Sequence, residues 1–426
     1  MSIKEIIKAG LGEKCFGQLA TLKSRMNVSR NRLMRAFSKP RKSHPDPVLT
    51  TYSVPNAHTF FGYYDVIPFS GDDARLLAMV TTSTDHDVSA RQEIRLGYFN
   101  VDDPQRFVAV AQTPTWCWQM GCRLQWHPSD PNRIIFYNTL VNGQYGAVLQ
   151  DILSGKIERQ LDSPIYALDS SGRHGLSLNF SRLQRLRPGY GYRNLPDATR
   201  DDPCPGNDGI WRIDMLDNRA DLIIDLSRLS RLDPPPTMNG AQHYVNHLSF
   251  NPSGSRFMFF HLWEAGGKRY NRMITSDLQG QNLCVLENEG TSSHYTWKNE
   301  TELLATVHYG KAGTRYNLYG DGMGLKTVVA QGLLTKDGHP SYSPIDNFLL
   351  TDTYPDKYRE QHVLLLTADE RLFDLTRIYS PPEFKGETRC DLHPRWSRQG
   401  RAICVDETDR GLRELAVLGV ETGLAQ

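Results

Sequence analysis

The chain lacks any run of about 18 apolar residues, the minimum for a membrane-spanning helix. Its first residues, MSIKEIIKAGLGEKC, offer neither an apolar core segment nor a small-residue cleavage site, so no secretory signal is expected. Cysteine is sparse: seven in 426 residues, an odd number, with no CxxC pair. That pattern argues against a disulfide framework and for free thiols in a reducing compartment. Cys390 and Cys404 share one segment and are the pair to check for proximity. Net charge is also nearly absent, at +1, which excludes a whole-molecule electrostatic grip on nucleic acid. A cytoplasmic location is expected.

The small net charge conceals an asymmetry. Residues 1–45 carry eleven Lys and Arg against Glu5 and Glu13, a balance of +9, so the remainder carries −8. Ile3, Ile6, Ile7 and Leu11 fall at helical spacing ahead of a basic stretch reaching Lys42. Residues 1–47 therefore read as a basic, helical arm. It is either solvated, peripheral to an anionic surface such as the inner membrane, or docked on a partner protein.

What the chain has is repetition. NHLSFNPSGSRFMFF (246–260), SHYTWKNETELLATV (293–307), GHPSYSPIDNFLL (338–350) and LHPRWSRQGRAICV (392–405) each place an aromatic before a turn and an apolar run. The aromatics are Phe250, Trp297, Tyr342 and Trp396, spaced 47, 45 and 54 residues apart. Looser copies begin at residues 63, 123 and 166, making seven units. Short strands recurring at this period predict an all-β fold, a seven-bladed β-propeller over 48–426, with 1–47 as a helical extension. The last unit lacks a fourth strand, which VLTTYSVP (48–55) would supply by joining the two ends of the ring. Residues 181–241 break the period and read as an insertion on one rim, with a possible strand at IWRIDML (210–216).

Three residues before the aromatic stand His247, His294, His339 and His393 in four successive units; Arg123 holds the position in the second. First strands of blades line the central channel, so these imidazoles should converge at one channel mouth. Histidines at strand starts could instead hold neighbouring blades together. His58, Tyr63, Tyr64 and Asp65 in HTFFGYYD, with Gln119, His243, Asp337 and Asp391, are expected to join them. In the insertion, NFSRLQRLRPGYGYR (179–193) interleaves Arg182, Arg185, Arg187 and Arg193 with Tyr190 and Tyr192. Arginine binds carboxylates through paired N–H groups, and tyrosine packs on apolar sugar faces, so the combination suits an acidic saccharide.

The stretch HLSFNPSGSRFMFFHLWEAGGKRYNRM (247–273), followed by SHYTW (293–297), resembles the oligogalacturonate lyases, and the repeats resemble TolB-like propellers. The resemblance implies β-elimination on uronate-containing oligosaccharides. A histidine takes the proton at C5, an arginine assists, and a divalent metal, typically manganese, neutralises the carboxylate. It places the base at His247 and a metal ligand at His294. The family's Gln-x-x-His-x-His pattern is missing: RCDLHPR has His393 alone, with Cys390 and Arg395 where the others would fall. His339 and His393 are the candidates to complete the ligand set. Arg182 or Arg185 is the expected substrate clamp, with Tyr64 beside the base. A glycoside hydrolase or transferase of cell-surface polysaccharide, and a non-catalytic binding propeller, are the alternatives.

Overall fold

The computed structural model describes residues 48–83 and 92–420, with Met26 isolated before them. The expected arm therefore lies outside the described residues, apart from Met26. Among those described, no helix is long and apolar enough to cross a membrane, and six cysteines, Cys390 and Cys404 included, are free thiols.

Seven four-stranded antiparallel sheets follow one another along the chain. Blades one to six have inner strands His58–Phe60, Gln125–Trp126, Ala167–Leu168, Gln242–Phe250, Thr291–Trp297 and Ser341–Tyr342. Blade seven has Arg395–Trp396, Ala402–Glu407 and Glu414–Gly419, and its fourth strand is Leu49–Tyr52. The pairing runs from Leu49 opposite Leu418 to Tyr52 opposite Leu415, so backbone hydrogen bonds close the ring.

Burial explains why the sequence repeats as it does. Second strands lie between neighbouring blades and are covered on both faces, so they read as continuous apolar runs. Arg256–Ala265 (RFMFFHLWEA) and Leu349–Asp352 are buried almost throughout, whereas the outer strand Gly324–Val329 is largely exposed. The repeating tryptophans tie blades two, five and seven to the blade before. The indole N–H groups of Trp126, Trp297 and Trp396 donate to the carbonyls of Pro68 (2.8 Å), Ser249 (3.2 Å) and Ser341 (3.4 Å). In the NPSG turn, Gly254 donates to the Asn251 carbonyl at 2.9 Å with φ +74, a value that favours glycine.

The irregular stretch 181–241 is not one insertion. Gly209–Asp214 and Arg219–Asp225 inside it are the outer strands of blade three. The additions are a segment opening with α1 (Phe180–Leu186), capped by Asn179, and a connection beginning with α2 (Leu226–Arg231).

Residues 61–65 of blade one enter the channel and bond to blades around the ring. The Gly62 carbonyl accepts from His393 (2.8 Å) and Arg395 (2.5 Å). The Phe61 and Gly62 amides donate to Asp406 at 3.2 and 3.3 Å. Asp65 forms a two-pronged pair with Arg123 at 2.9 and 3.1 Å. The Tyr64 hydroxyl accepts from the Tyr295 amide and donates to its carbonyl, both at 2.8 Å. Tyr64→Phe strands both backbone groups in a buried site and should lower stability by about 2 kcal/mol in urea unfolding.

Three buried histidines belong to the scaffold. His58 accepts from the Arg413 amide at 3.0 Å, and burial, then Arg413, lowers its pKa to about 4. Arg272 donates to His261 Nδ1 (3.2 Å), His261 Nε2 lies 2.9 Å from His243 Nδ1, and His243 Nε2 faces the Met238 carbonyl at 3.4 Å. That chain suits two neutral rings, and burial lowers both pKa values. Below the ordinary value of 6.5 the unfolded chain binds protons that these folded histidines refuse. Their stabilisation is complete above that value and is lost as pH falls toward the folded pKa. Glu407, raised by burial to about 6, and His339, raised by its carboxylate neighbours, act oppositely but are outnumbered. The thermal midpoint should therefore fall between about pH 6.5 and about pH 5.

Candidate functional site

The histidine register is a physical cluster. The ring centroids of His294 and His339 are 4.0 Å apart, and those of His339 and His393 are 4.4 Å apart. Tyr63 joins the fourth ring to them: it stacks on His247 at 5.2 Å and meets His393 edge-on at 4.9 Å. All four histidines are at most 5 % exposed.

Backbone geometry aims two of them. His247 (φ +59) and His393 (φ +46) are left-handed, as is Arg123 (φ +57) at the same register position in blade two. Left-handed non-glycine residues cost about 1–2 kcal/mol each. On blade four the pairing slips between Asn246 and Ser249, so His247 sits in a bulge. A similar slip falls between Ser292 and His294.

Hydrogen bonds anchor one nitrogen of three rings. His294 Nδ1 lies 3.0 Å from Asp337, His339 Nδ1 lies 2.8 Å from Asp352, and His393 Nδ1 lies 2.8 Å from the Gly62 carbonyl. Nε2 of His339 and of His393 is buried with no hydrogen-bond partner among the described residues. One ring nitrogen of each of these histidines and an Asp391 oxygen lie within 4.8 Å of one another. Buried imidazoles whose far nitrogen is tied to a carboxylate or carbonyl are typical metal ligands. The residues therefore fit a metal, held by His339, Asp391 and His393. His294, an expected ligand, abuts this trio without belonging to it.

Titration divides the four. Burial, then Arg187 and His294, holds His247 well below its ordinary range. Burial, then His339, lowers His393 and His294 also. Burial opposes protonation of His339 most strongly, but Asp352 behind it, with Asp391 and Asp337, together outweigh burial and raise its pKa. His247 is thus a neutral base at neutral pH, and its Nδ1 has no hydrogen-bond partner among the described residues.

Other expected residues separate into two groups. Tyr63 and Tyr190 flank His247, with Tyr190 edge-on at 6.0 Å. Tyr64 packs 5.2 Å from His339, but its hydroxyl is committed to Tyr295, and Asp65 is committed to Arg123. Arg182, an expected clamp, is engaged within the chain. Its guanidinium meets the carbonyls of His243, Thr199, Asp202 and Pro203 and the Thr199 hydroxyl, binding the α1 segment to blade four. Arg185 pairs with Asp197 and Gln242. Tyr192 stacks on Phe180 at 4.4 Å inside the core. Gln119 holds the Glu387 and Arg389 carbonyls at 2.9 and 2.7 Å. His58 and His243 belong to the scaffold, as described above.

The arginines beside the site are Arg187, whose guanidinium lies 4.4 Å over the Tyr190 ring, and Arg389, 5.3 Å over Tyr354. Tyr354 in turn lies 5.7 Å from His339. Asp352, Tyr354 and Arg389 went unmarked in the sequence. A second register would have exposed Asp352: it stands 13 residues after His339, as Asp406 stands 13 after His393.

No protein-family model matches the chain, and no curated protein matches it in sequence. Solved structures do match in shape. An oligogalacturonate lyase in complex with manganese superposes with a TM-score of 0.62 at 12 % identity, covering 90 % of this chain and 98 % of that one. The oligogalacturonate lyase of Vibrio parahaemolyticus gives 0.59 at 11 %, covering 89 % and 98 %. TolB from Acinetobacter baumannii gives only 0.36 at 14 %, covering 66 % and 58 %. At these identities the likeness shows the fold: the chain is a seven-bladed propeller shaped like the oligogalacturonate lyases.

Proposed function

We propose that the protein is a lyase that cleaves uronate-containing oligosaccharides by β-elimination at the channel mouth. The observation that carries this reading is the pairing of a neutral, buried His247 with a separate, carboxylate-backed ligand trio across one aromatic ring, Tyr63. The distant shape likeness to oligogalacturonate lyases supports it.

β-Elimination needs a base at C5 and positive charge at the adjoining carboxylate, where negative charge builds as the proton leaves. His247 takes the C5 proton. The electrons of that C–H bond form the C4–C5 double bond, the C4–O bond breaks, and the departing oxygen takes up a proton. Tyr63, stacked on the imidazole, fixes the plane in which His247 meets the sugar. Arg187 supplies guanidinium charge from the insertion side. A divalent cation held by His339, Asp391 and His393 would supply further charge to the carboxylate.

Incubation with uronate oligosaccharides and Mn²⁺ should generate the ultraviolet absorbance of a 4,5-unsaturated product. Absence of product across a panel of uronates would count against the proposal. His247→Gln should lower kcat by roughly 10²–10⁴-fold with the unfolding midpoint little changed. Arg187→Ala should cost about tenfold or more in kcat/KM, consistent with loss of a charged hydrogen bond. Arg185→Ala should leave kcat/KM within a few-fold, because Arg185 already pairs with Asp197 and Gln242.

A further inference from the structure

We propose that Arg389 and a divalent cation compete for Asp391, and that the guanidinium released by the cation becomes a clamp for a substrate carboxylate. The second half rests on the uronate reading above; the competition itself does not.

Asp391 is 1 % exposed at its side chain and cannot move without unpacking. Arg389 binds it through Nε, 2.9 Å from both oxygens, and through Nη2 at 2.7 Å. The same carboxylate offers an oxygen within 4.8 Å of a ring nitrogen of His339 and of His393, whose Nε2 atoms have no hydrogen-bond partner among the described residues. One carboxylate thus serves two cationic positions. Three N–H contacts leave lone pairs on the acid, so geometry permits a shared ligand. Electrostatics opposes sharing, because a dication on those three ligands would lie within a few ångströms of the guanidinium in a buried, weakly screened site.

The two partners differ in freedom. The Arg389 side chain is 37 % exposed. Its backbone is pinned, with the carbonyl accepting from Gln119 and from Arg413, both at 2.7 Å. Among the described residues, Asp391 is the only hydrogen-bonding partner of its guanidinium, and the Tyr354 face, 5.3 Å away, is its other support. A pinned backbone with one polar tether defines a swinging arm. Tyr354 and His339 lie beside it, so the released guanidinium stays at the channel mouth, where a uronate carboxylate would sit. Metal and uronate should therefore bind cooperatively, each drawing its partner's competitor away.

Isothermal titration calorimetry of MnCl₂ into the full chain tests the competition. Arg389→Ala and Arg389→Gln should bind Mn²⁺ about tenfold or more tightly than the parent, while His339→Ala should lose binding. Equal or weaker Mn²⁺ binding by both Arg389 variants overturns the competition while leaving the metal site intact. No Mn²⁺ binding by any of the proteins overturns the site as well. The clamp is tested by titrating trigalacturonate into His247→Gln protein with and without Mn²⁺. Mn²⁺ should tighten that binding several-fold, and adding Arg389→Ala should abolish the gain. A gain that survives in the double variant overturns the clamp. Trigalacturonate that never binds overturns the clamp together with the uronate reading, and the metal affinities still decide the competition.

Discussion

The inner strand of a propeller blade has one edge with no neighbouring strand, and that edge faces the channel. Its amides and carbonyls are buried and still need partners. Here side chains provide them. The Tyr64 hydroxyl satisfies both backbone groups of Tyr295, the Tyr166 hydroxyl accepts from the His247 amide at 3.2 Å, and Asp352 accepts from the amides of His339 and His393 at 2.8 and 3.1 Å. The channel is therefore filled with polar side chains because the ring demands it. The candidate site is built from that same requirement.

This makes scaffold and site inseparable at several residues. Asp352 closes two backbone edges and orients His339. Gly62 carries the carbonyl that orients His393, and its φ of +122 places that carbonyl where a residue with a side chain would crowd the Met120 backbone. His247 differs: its amide is satisfied by Tyr166, but its Nδ1 is bonded to nothing among the described residues. A buried imidazole left over after the scaffold is satisfied is one whose use lies elsewhere.

The ring and the histidine register were legible in the sequence because both repeat. A position recurring in four blades is read from spacing alone, and the closing strand Leu49–Tyr52 followed from counting strands in the last unit. What does not repeat was not legible. Inside the insertion IWRIDML already reads as a possible strand, but Arg219–Asp225 carries too weak an apolar pattern to show that both belong to blade three. Arginines in one motif are alike on paper, yet Arg182 meets five oxygens of its own chain while Arg187 lies over Tyr190. Which of them faces the site depends on where α1 ends. Left-handed φ at His247 and His393 has no sequence signal either, since histidine is not the residue that marks such turns.

The most direct test is a crystal structure of the His247→Gln variant with trigalacturonate and Mn²⁺. The account predicts a uronate at the channel mouth, its C5 facing the side chain at position 247. Its carboxylate should turn toward a metal held by His339, Asp391 and His393. A saccharide on the opposite rim or the outer strands, or a mouth that takes metal but no sugar, would contradict it.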